Sequence, residues 1–211
     1  MLPAEASIAA VAECGRLGVP FATVFSAGFS EMGTEVGAAL QAGLVRVARA
    51  GGVALMGPNR NGLINVVDGF ALTSTATITG PRRPAGDIGI VGQSGGAAQV
   101  NVMWRAQQDG LDRSDQVSSG NDADLDLRHD MAFMLEDGRT RLVLALAERI
   151  ADGARLRALA ARAAARPDPR GRCGASRSAG HGPWKRTAGA AGWRACRPPR
   201  RDRRTGRAGI P

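Results

Sequence analysis

The alternation of short apolar runs with longer helical segments is the feature that most constrains the fold of this chain. Five runs have the length and composition of buried strands, and four of them lead into residues rich in glycine, serine or asparagine. The predicted strands are residues 20–25, 53–56, 88–91, 116–119 and 142–147. Strands that alternate with helices predict an α/β fold, with parallel sheets and helices packed against them.

Helical segments lie between these runs. Helices are predicted at residues 4–17, 35–50, 124–136 and 150–165, and a further helix ends near residue 108. Residues 66–86 are less regular and end in Gly80-Pro81-Arg82-Arg83-Pro84, which indicates a linker. The linker divides the body into two series of strands and helices, at residues 1–80 and 86–166.

Ligands of parallel α/β sheets bind beyond the carboxyl ends of the strands. In this sequence the glycine, serine and asparagine residues gather at those ends, because they follow four of the five predicted strands. The pattern therefore predicts a binding site at one end of the sheet before any relative of the chain is considered.

Composition argues against several classes of protein. No apolar run reaches the roughly 18 residues that a membrane-spanning helix needs. The N-terminus carries Glu5 and lacks the basic and apolar regions of a signal peptide. Cys14, Cys173 and Cys196 have no paired spacing, which argues against a disulfide framework or a zinc site. We therefore predict a cytoplasmic protein with no metal site of its own.

Charge divides the chain unevenly. Residues 1–165 contain 15 arginines and 17 acidic residues, whereas residues 166–211 contain 12 arginines, Lys185 and two aspartates. The second segment shows neither the period of 2 nor the period of 3.6 that a packed strand or helix requires. We predict that residues 167–211 form a disordered basic tail.

Five short blocks occur in the order and with the spacing of one family. Each resembles a segment of the NDP-forming acyl-CoA synthetases, the relatives of succinyl-CoA synthetase, and the resemblance covers roughly residues 1–166. One block would carry little weight, but five in order are not expected by chance. The blocks are Ser26-Ala27-Gly28-Phe29-Ser30-Glu31, Gly57-Pro58-Asn59-Arg60-Asn61-Gly62-Leu63-Ile64-Asn65, Gln93-Ser94-Gly95-Gly96, Ser119-Gly120-Asn121-Asp122-Ala123-Asp124 and Glu136-Asp137-Gly138-Arg139-Thr140.

The resemblance implies both a fold and a reaction. Residues 1–80 would be part of a Rossmann-like CoA-binding domain, and residues 86–166 part of a flavodoxin-like, succinyl-CoA synthetase-like domain. The implied activity is that of an acid–thiol ligase, which forms acyl-CoA from a small carboxylic acid, CoA and ATP through an acyl phosphate and a phosphohistidine. In the family this subunit supplies the CoA site, while an ATP-grasp subunit or domain binds ATP, ADP and Mg.

The loop after the first strand is expected to contact CoA. The resemblance assigns Phe25, Ser26 and Ala27 to this contact, and it adds Asn59 from the loop after the second strand. Considered alone, the first loop is more simply a tight turn that needs positive φ at Gly28. Asn59 could equally cap a turn.

The turn Ser94-Gly95-Gly96 opens a helix directly after a strand. The first backbone N–H groups of a helix have no intrahelical acceptor, and together with the helix dipole they favour an anion. Small side chains let such an anion approach the backbone. The turn alone favours an ordinary turn with serine as the helix N-cap. The resemblance implies phosphate binding, and on that ground we predict phosphate contacts at Ser94, Gly95 and Gly96.

Glu148 follows the fifth strand. It matches a family glutamate that contacts the active-site histidine, where a carboxylate orients an imidazole and stabilises its charged form. A solvated charge at the end of a strand is the simpler interpretation. Asn121, Asp122 and Asp124 are expected to form a turn and a helix N-cap and are not assigned to catalysis.

The family pattern is incomplete in this sequence. The first CoA-binding turn, which precedes the block near Pro3 in the family, is absent, and so is the histidine motif expected after residue 165. His181 does not match that motif, His129 lies inside a predicted helix, and Arg60 stands where the family often has a small residue or a cysteine. We therefore expect a fragment that is inactive alone, with an open sheet edge where the absent strands would pair.

Two further functions remain open at this point. The chain could be a CoA-binding or regulatory remnant without catalysis, or a nucleic-acid-binding protein that uses its basic tail. The tail has only Trp184 and Trp193 as aromatic residues and offers no folded platform. Nucleic acid therefore ranks last among the partners, and no membrane partner is expected.

Amino-acid usage points to an origin for the tail. The body uses arginine and no lysine, and the chain has no tyrosine, which indicates a GC-rich gene. Such a gene read in a wrong frame yields arginine, proline, glycine and alanine, the residues that dominate the tail. We expect an out-of-frame tail, and a natural basic tail is the alternative.

Overall fold

The computed structural model describes residues 2–75 and 84–165. The predicted tail at residues 167–211, with His181 and the expected change of reading frame, lies outside the described residues, as does most of the predicted linker. No described helix is long and apolar enough to cross a bilayer.

The first half of the described chain combines a two-stranded parallel sheet with two helices. α1 (Ala4–Arg16) leads into β1 (Phe21–Thr23), and α2 (Glu35–Ala50) leads into β2 (Ala54–Met56). β1 and β2 pair in parallel over their whole length. Within the described residues β1 has β2 as its one neighbouring strand, so the outer edge of β1 is open.

The core of this half lies between the helices and the strands. Buried residues recur on α2 at helical spacing, which gives the helix one apolar face. Burying a large apolar side chain contributes about 1.5–3 kcal/mol, and Phe29, Leu44 and Leu55 are fully buried. The core residues are Ala4, Val11, Val24, Phe29, Leu44, Ala48, Val53 and Leu55.

A five-stranded mixed sheet forms the second half, in the order β4-β3-β6-β5-β7. β5 (Ala85–Gly92) pairs in parallel with both β6 (Arg113–Ser118) and β7 (Leu142–Leu146). β3 (Gly62–Asn65) and β4 (Phe70–Thr73) form an antiparallel hairpin, and β3 is also antiparallel to β6. The parallel strands therefore occupy one side of the sheet and the hairpin the other.

Helical segments connect and cover these strands. A π-helix over Gly96–Val102 follows β5 and continues as α3 (Met103–Gln108). α4 (Leu127–Glu136) packs against β5, β6 and β7, and α5 (Gly153–Ala164) follows β7. The predicted α/β fold, with parallel strands and flanking helices, is confirmed.

The hairpin β3–β4 is the main element that the sequence analysis did not predict. Its turn is closed by two side-chain bonds, because Asn65 Nδ2 donates to Asp68 Oδ2 and the Asp68 nitrogen donates to Asn65 Oδ1, each at 2.8 Å. Since β3 pairs with β6, residues from the predicted segments 1–80 and 86–166 share one sheet. The boundary between two domains at this point stays a prediction.

Helix α4 begins three residues later than predicted. Asp126 is its N-cap: the side chain accepts from the His129 nitrogen at 3.3 Å, and His129 Nδ1 accepts from the Asp126 nitrogen at 3.1 Å. Asp124, expected at the helix N-cap, instead accepts from Arg49 Nε at 3.0 Å and from the Leu55 nitrogen at 3.3 Å. It therefore ties the loop after β6 to α2 and β2.

Candidate functional site

Five loops follow the carboxyl ends of the parallel strands, and hydrogen bonds join them into one continuous set. We call them the strand-end loops. They are residues 24–34 after β1, 57–61 after β2, 93–95 after β5, 119–126 after β6 and 147–152 after β7. The residues predicted to bind CoA and phosphate, and Glu148, lie in these loops, apart from Gly96, which opens the π-helix directly after them.

Backbone bonds connect the loops after β1, β2 and β6. The Asn59 nitrogen donates to the Ser26 carbonyl oxygen at 2.9 Å, which joins the first two loops. The Asn121 nitrogen donates to the Pro58 carbonyl oxygen, also at 2.9 Å, which joins the second to the third. The Gly57–Pro58 peptide bond between them is cis. The loops of the two sheets are thus held side by side.

Gln93 connects the loop after β6 to the loops after β5 and β7. Its carbonyl oxygen accepts from the Gly120 nitrogen at 3.2 Å. Its side-chain Oε1 accepts from the nitrogens of Glu148 and Arg149, each at 2.7 Å, and its Nε2 donates to the Arg149 carbonyl oxygen at 2.7 Å. Nε2 also donates to Asp122. One amide side chain therefore holds the backbone of the last loop in place.

The predicted CoA residues differ in exposure. Ser26 is buried, and its Oγ accepts from Ser7 Oγ at 3.2 Å, whereas Phe25 is half-buried and Ala27 is exposed. Asn59 is exposed and has a positive φ of 55°. Its Nδ2 donates to Asn121 Oδ1 at 3.2 Å. A ligand at this loop would meet Ala27 and Asn59 first, with Ser26 supporting the loop from beneath.

The predicted phosphate turn combines a capped helix with a tight contact. Ser94 Oγ accepts from the Ala97 nitrogen at 3.2 Å, so the serine caps the helix, as the alternative interpretation expected. A β-carbon at Gly95 would lie 2.4 Å from Asn61 Cγ, so the backbone passes close to the loop after β2. A β-carbon at Gly96 would have no neighbour within 4 Å. Packing requires glycine at the first position, while the second faces open space.

Glu148 has a fixed backbone and a free carboxylate. Its nitrogen is bound by Gln93, and its side chain is exposed to solvent beyond the end of β7. A surface pocket next to it is lined by Gln93, Asp122, Asp126, Leu127, Arg128, Arg149, Ile150, Ala151 and Leu156.

Two buried groups of opposite charge interact inside the protein: Arg60, in the loop after β2, and Asp130, on α4. Arg60 is 2% exposed, and none of its three side-chain nitrogens has a hydrogen-bond partner in the part of the chain that the structure describes. Burial lowers the pKa of Arg60, and the negative charge of Asp130 opposes this. Burial raises the pKa of Asp130 to about 7, against the effect of Arg60. Each charge therefore offsets part of the cost of burying the other.

Sequence reasoning assigned no ligand or network role to Gln93 or Asn121, although both stand in the quoted blocks. Each acts through bonds to residues that are distant in the chain, and no local pattern marks such a role. Among the described residues no histidines, cysteines and carboxylates gather in groups of three or more that could hold a metal ion.

Comparison with known proteins identifies relatives of this arrangement. Residues 85–169 match the family model described as the succinyl-CoA ligase like flavodoxin domain. ADP-forming acetate–CoA ligase I of Archaeoglobus fulgidus is 38% identical over 153 residues, which are 72% of this chain and 22% of that protein. The alpha subunit of ADP-forming acetate–CoA ligase I of Pyrococcus furiosus is 31% identical over 155 residues, 74% of this chain and 32% of the subunit.

A solved structure supports the same grouping. Dinucleotide forming acetyl-coenzyme A synthetase 1 of Ca. Korarchaeum cryptofilum, in complex with phosphate and ADP, matches with a TM-score of 0.68 and 29% identity. The match covers 77% of this chain and 34% of that chain. The chain thus spans between about a fifth and a third of the length of these relatives.

Proposed function

The chain belongs to the family of NDP-forming acyl-CoA synthetases, and from this premise we propose that it is the CoA-binding part of an acid–thiol ligase. In this proposal the loops after β1 and β2 bind CoA through Phe25, Ser26, Ala27 and Asn59. The turn Ser94-Gly95-Gly96 binds a phosphate group. The two sites together would serve the transfer of an acyl group from phosphate to the CoA thiol.

The observation that carries the proposal is the hydrogen-bonded set of strand-end loops. A thiol that attacks an acyl phosphate must be held within reach of it, so the two ligand sites have to share one end of the sheet. The loop after β6 bonds to the loop after β2 on one side and to Gln93 on the other. Gly95 also packs against Asn61. The proposed CoA and phosphate loops are therefore neighbours held at a fixed spacing.

The remaining parts of the reaction would come from elsewhere. Relatives of this chain include a protein named as an alpha subunit, which supports an ATP-grasp partner that binds ATP, ADP and Mg. Glu148 would orient the phosphorylated histidine of the intact enzyme. The relatives' names make acetate the first small carboxylic acid to test. We propose that the chain binds CoA but forms no acyl-CoA alone.

Isothermal titration of the full chain with CoA tests the first part. Ala27 is exposed, so Ala27→Glu brings a negative charge to the loop proposed to bind the anionic CoA without disturbing the core. We expect this variant to weaken CoA binding by about tenfold or more, equivalent to about 1.4 kcal/mol. Ala12→Glu is the matched control, because Ala12 is exposed on α1 and the charge change is the same. Equal weakening in both variants, or no saturable binding to the unaltered chain, would overturn the CoA site.

A turnover assay tests the second part. The chain is mixed with a purified ATP-grasp subunit of an acetate–CoA ligase, labelled ATP, acetate and CoA, and both acetyl-CoA and protein-bound phosphate are measured. We expect CoA binding without acetyl-CoA and without acid-labile phosphate on the chain. Acetyl-CoA formation would show that the chain is a complete catalytic partner and would contradict the proposed inactivity. If no acetyl-CoA forms, a second variant distinguishes an inactive ligase from a non-catalytic CoA-binding protein. In this variant a histidine segment of the family replaces the residues after 165. It should form acetyl-CoA only if the chain belongs to a ligase.

A further inference from the structure

Asn121 is a hydrogen-bonding centre between three other segments of the chain. Its nitrogen donates to the Pro58 carbonyl oxygen at 2.9 Å, and its Oδ1 accepts from Asn59 Nδ2 at 3.2 Å. Its Nδ2 donates to Glu31 Oε2 at 2.5 Å and to Gln41 Oε1 at 2.9 Å. The side chain thereby joins the loop after β2, the loop after β1 and helix α2, and it uses both its donor and its acceptor.

Glu31 transmits this bond to the loop after β1. Its Oε1 accepts from the Gly28 nitrogen at 2.6 Å and from the Phe29 nitrogen at 3.1 Å, while Oε2 accepts from Asn121. Burial alone would raise the pKa of the Glu31 carboxyl, but the hydrogen bonds from Asn121, Gly28 and Phe29 outweigh it and lower the pKa. One oxygen of the Glu31 carboxylate therefore binds the loop backbone, and the other is bound by Asn121.

The polarity of the Asn121 side chain is essential to this arrangement. Asn59 needs an acceptor, whereas Glu31 needs a donor, and a carboxamide supplies one of each. The other charged groups around Asn121 are Arg149, whose Nη2 donates to the Asn121 carbonyl oxygen at 3.2 Å, and the adjacent Asp122. A carboxylate at position 121 would face Glu31 at 2.5 Å and would repel it.

We propose that Asn121 is a positioning residue for CoA: acting through Glu31, it fixes the loop after β1 in the conformation that binds the ligand. The inference rests on the proposed CoA site and deepens it. Asn121 makes no contact with the ligand in this account. It sets the shape of the loop that carries Ser26, Ala27 and Gly28, and it couples that loop to the one that contacts Gln93.

The substitution Asn121→Asp tests the inference because its effect depends on pH. We expect CoA binding to weaken by about tenfold at pH 8, where both carboxylates are charged. At about pH 5 the two close carboxylates share a proton, so binding should recover toward that of the unaltered chain at the same pH. Asn101→Asp is the control, since Asn101 is exposed on the π-helix and the chemical change is identical. Weakening that persists unchanged at pH 5 would overturn the inference, and circular dichroism of the variant at pH 8 tests whether the fold itself is lost.

The double substitution Asn121→Asp with Glu31→Gln tests the direction of the bond. The new amide at position 31 can still accept from Gly28 and Phe29, and it can donate to the new carboxylate at position 121. Each single variant should bind CoA weakly at pH 8, and the double variant should bind within about threefold of the unaltered chain. Additive weakening in the double variant, with unchanged circular dichroism, would overturn the inference.

Hydrogen exchange separates this inference from the proposed function. The amides of Gly28 and Phe29 donate to Glu31 in the free chain, so Asn121→Asp should speed their exchange at pH 8 by about tenfold, with no change in α4. If the unaltered chain binds no CoA, the proposed function is wrong, and CoA is not the ligand of this loop. Unchanged exchange at Gly28 and Phe29 would instead remove the positioning role itself, whatever the chain binds.

Discussion

Gly120 lies so close to Pro58 that a β-carbon at Gly120 would stand 2.2 Å from the Pro58 carbonyl oxygen. The same backbone has a φ of 71°, which favours glycine for a second reason. The loops after β2 and β6 can therefore meet only because this position has no side chain.

We predict that Gly120→Ala destabilises the protein more than Gly138→Ala. Both glycines have positive φ, but Gly138 faces open space, so its substitution carries only the left-handed backbone cost of about 1–2 kcal/mol. Gly120→Ala adds a clash with backbone atoms and should lose roughly twice as much. Urea unfolding of both variants measures the difference, and equal losses would show that the two loops can separate without cost.

The two glycines of the phosphate turn should respond in opposite directions. Gly95→Ala would push the new β-carbon against Asn61 and should destabilise the chain by about 1–2 kcal/mol. Gly96→Ala meets no neighbour at the start of a helix and should stabilise it by about 0.5–1 kcal/mol. Thermal unfolding with and without inorganic phosphate measures both effects. Inorganic phosphate should raise the unfolding temperature of the unaltered chain. If Gly96→Ala loses this increase and Gly95→Ala keeps it, Gly95 is not part of the phosphate contact.

Stability should fall as pH rises from about 4 to about 6 because of Asp115. Burial and the nearby carboxylate of Asp137 raise the pKa of Asp115 to about 6, against the effect of Arg139. Over that window the folded chain holds a proton that the unfolded chain has released, so rising pH favours unfolding. Above it the loss is complete.

Asp115→Asn removes this titration. From pH 4.5 to pH 7.5, the free energy of unfolding of the variant should rise by on the order of 1 kcal/mol relative to that of the unaltered chain. Urea unfolding at a series of pH values gives the profile, with Asp109→Asn as an exposed control that should keep the original slope. Asp130, with a pKa of about 7, adds a second loss of the same sign at higher pH, which Asp115→Asn should leave in place. If the stability of Asp115→Asn fell with pH as steeply as that of the unaltered chain, Asp115 would not be the group responsible.

Replacing Asp130 should destabilise the protein more than replacing Arg60 at pH 7. Asp130→Leu removes the negative charge that opposes the burial of the Arg60 guanidinium, which cannot lose its proton, and it should cost about 1–3 kcal/mol. Arg60→Met leaves a carboxyl that can take up a proton, so its cost should be lower by about 1 kcal/mol or more. The double variant should lie within about 1–2 kcal/mol of the unaltered chain. Additive losses in this cycle would show that the two charges do not compensate each other.

Apolar periodicity located the main helices because each buries one face. α2 was predicted at residues 35–50 and lies at Glu35–Ala50, with Leu44 and Ala48 in the core. The hairpin β3–β4 could not be found in this way. β4 has four residues, of which three are exposed, so it shows no alternation of buried and exposed positions. Its place depends on pairing through β3 with the later strand β6.

The loops of the candidate site could be predicted because the topology of a parallel sheet brings them to one end. The bonds within the site could not. Asn121 reaches Glu31 and Gln41 across 90 and 80 positions of the chain, and only the packing of α2 beside the loop after β6 brings them together. The same limit applies to Asp124, which stands next to a helix in sequence but is drawn to Arg49 by its contact with β2.

The hairpin β3–β4 has to wait for its partner strand during synthesis. Asn65 on β3 pairs with Asp115 on β6, so about 50 further residues must be made before the hairpin can join its sheet. A ribosome adding about 5–20 residues per second needs roughly 2–10 s for that stretch. A lone two-stranded hairpin is at best marginally stable in water, and the exposed Phe70 and Leu72 lie on this one. For those seconds the apolar side chains of the hairpin stay exposed on the nascent chain.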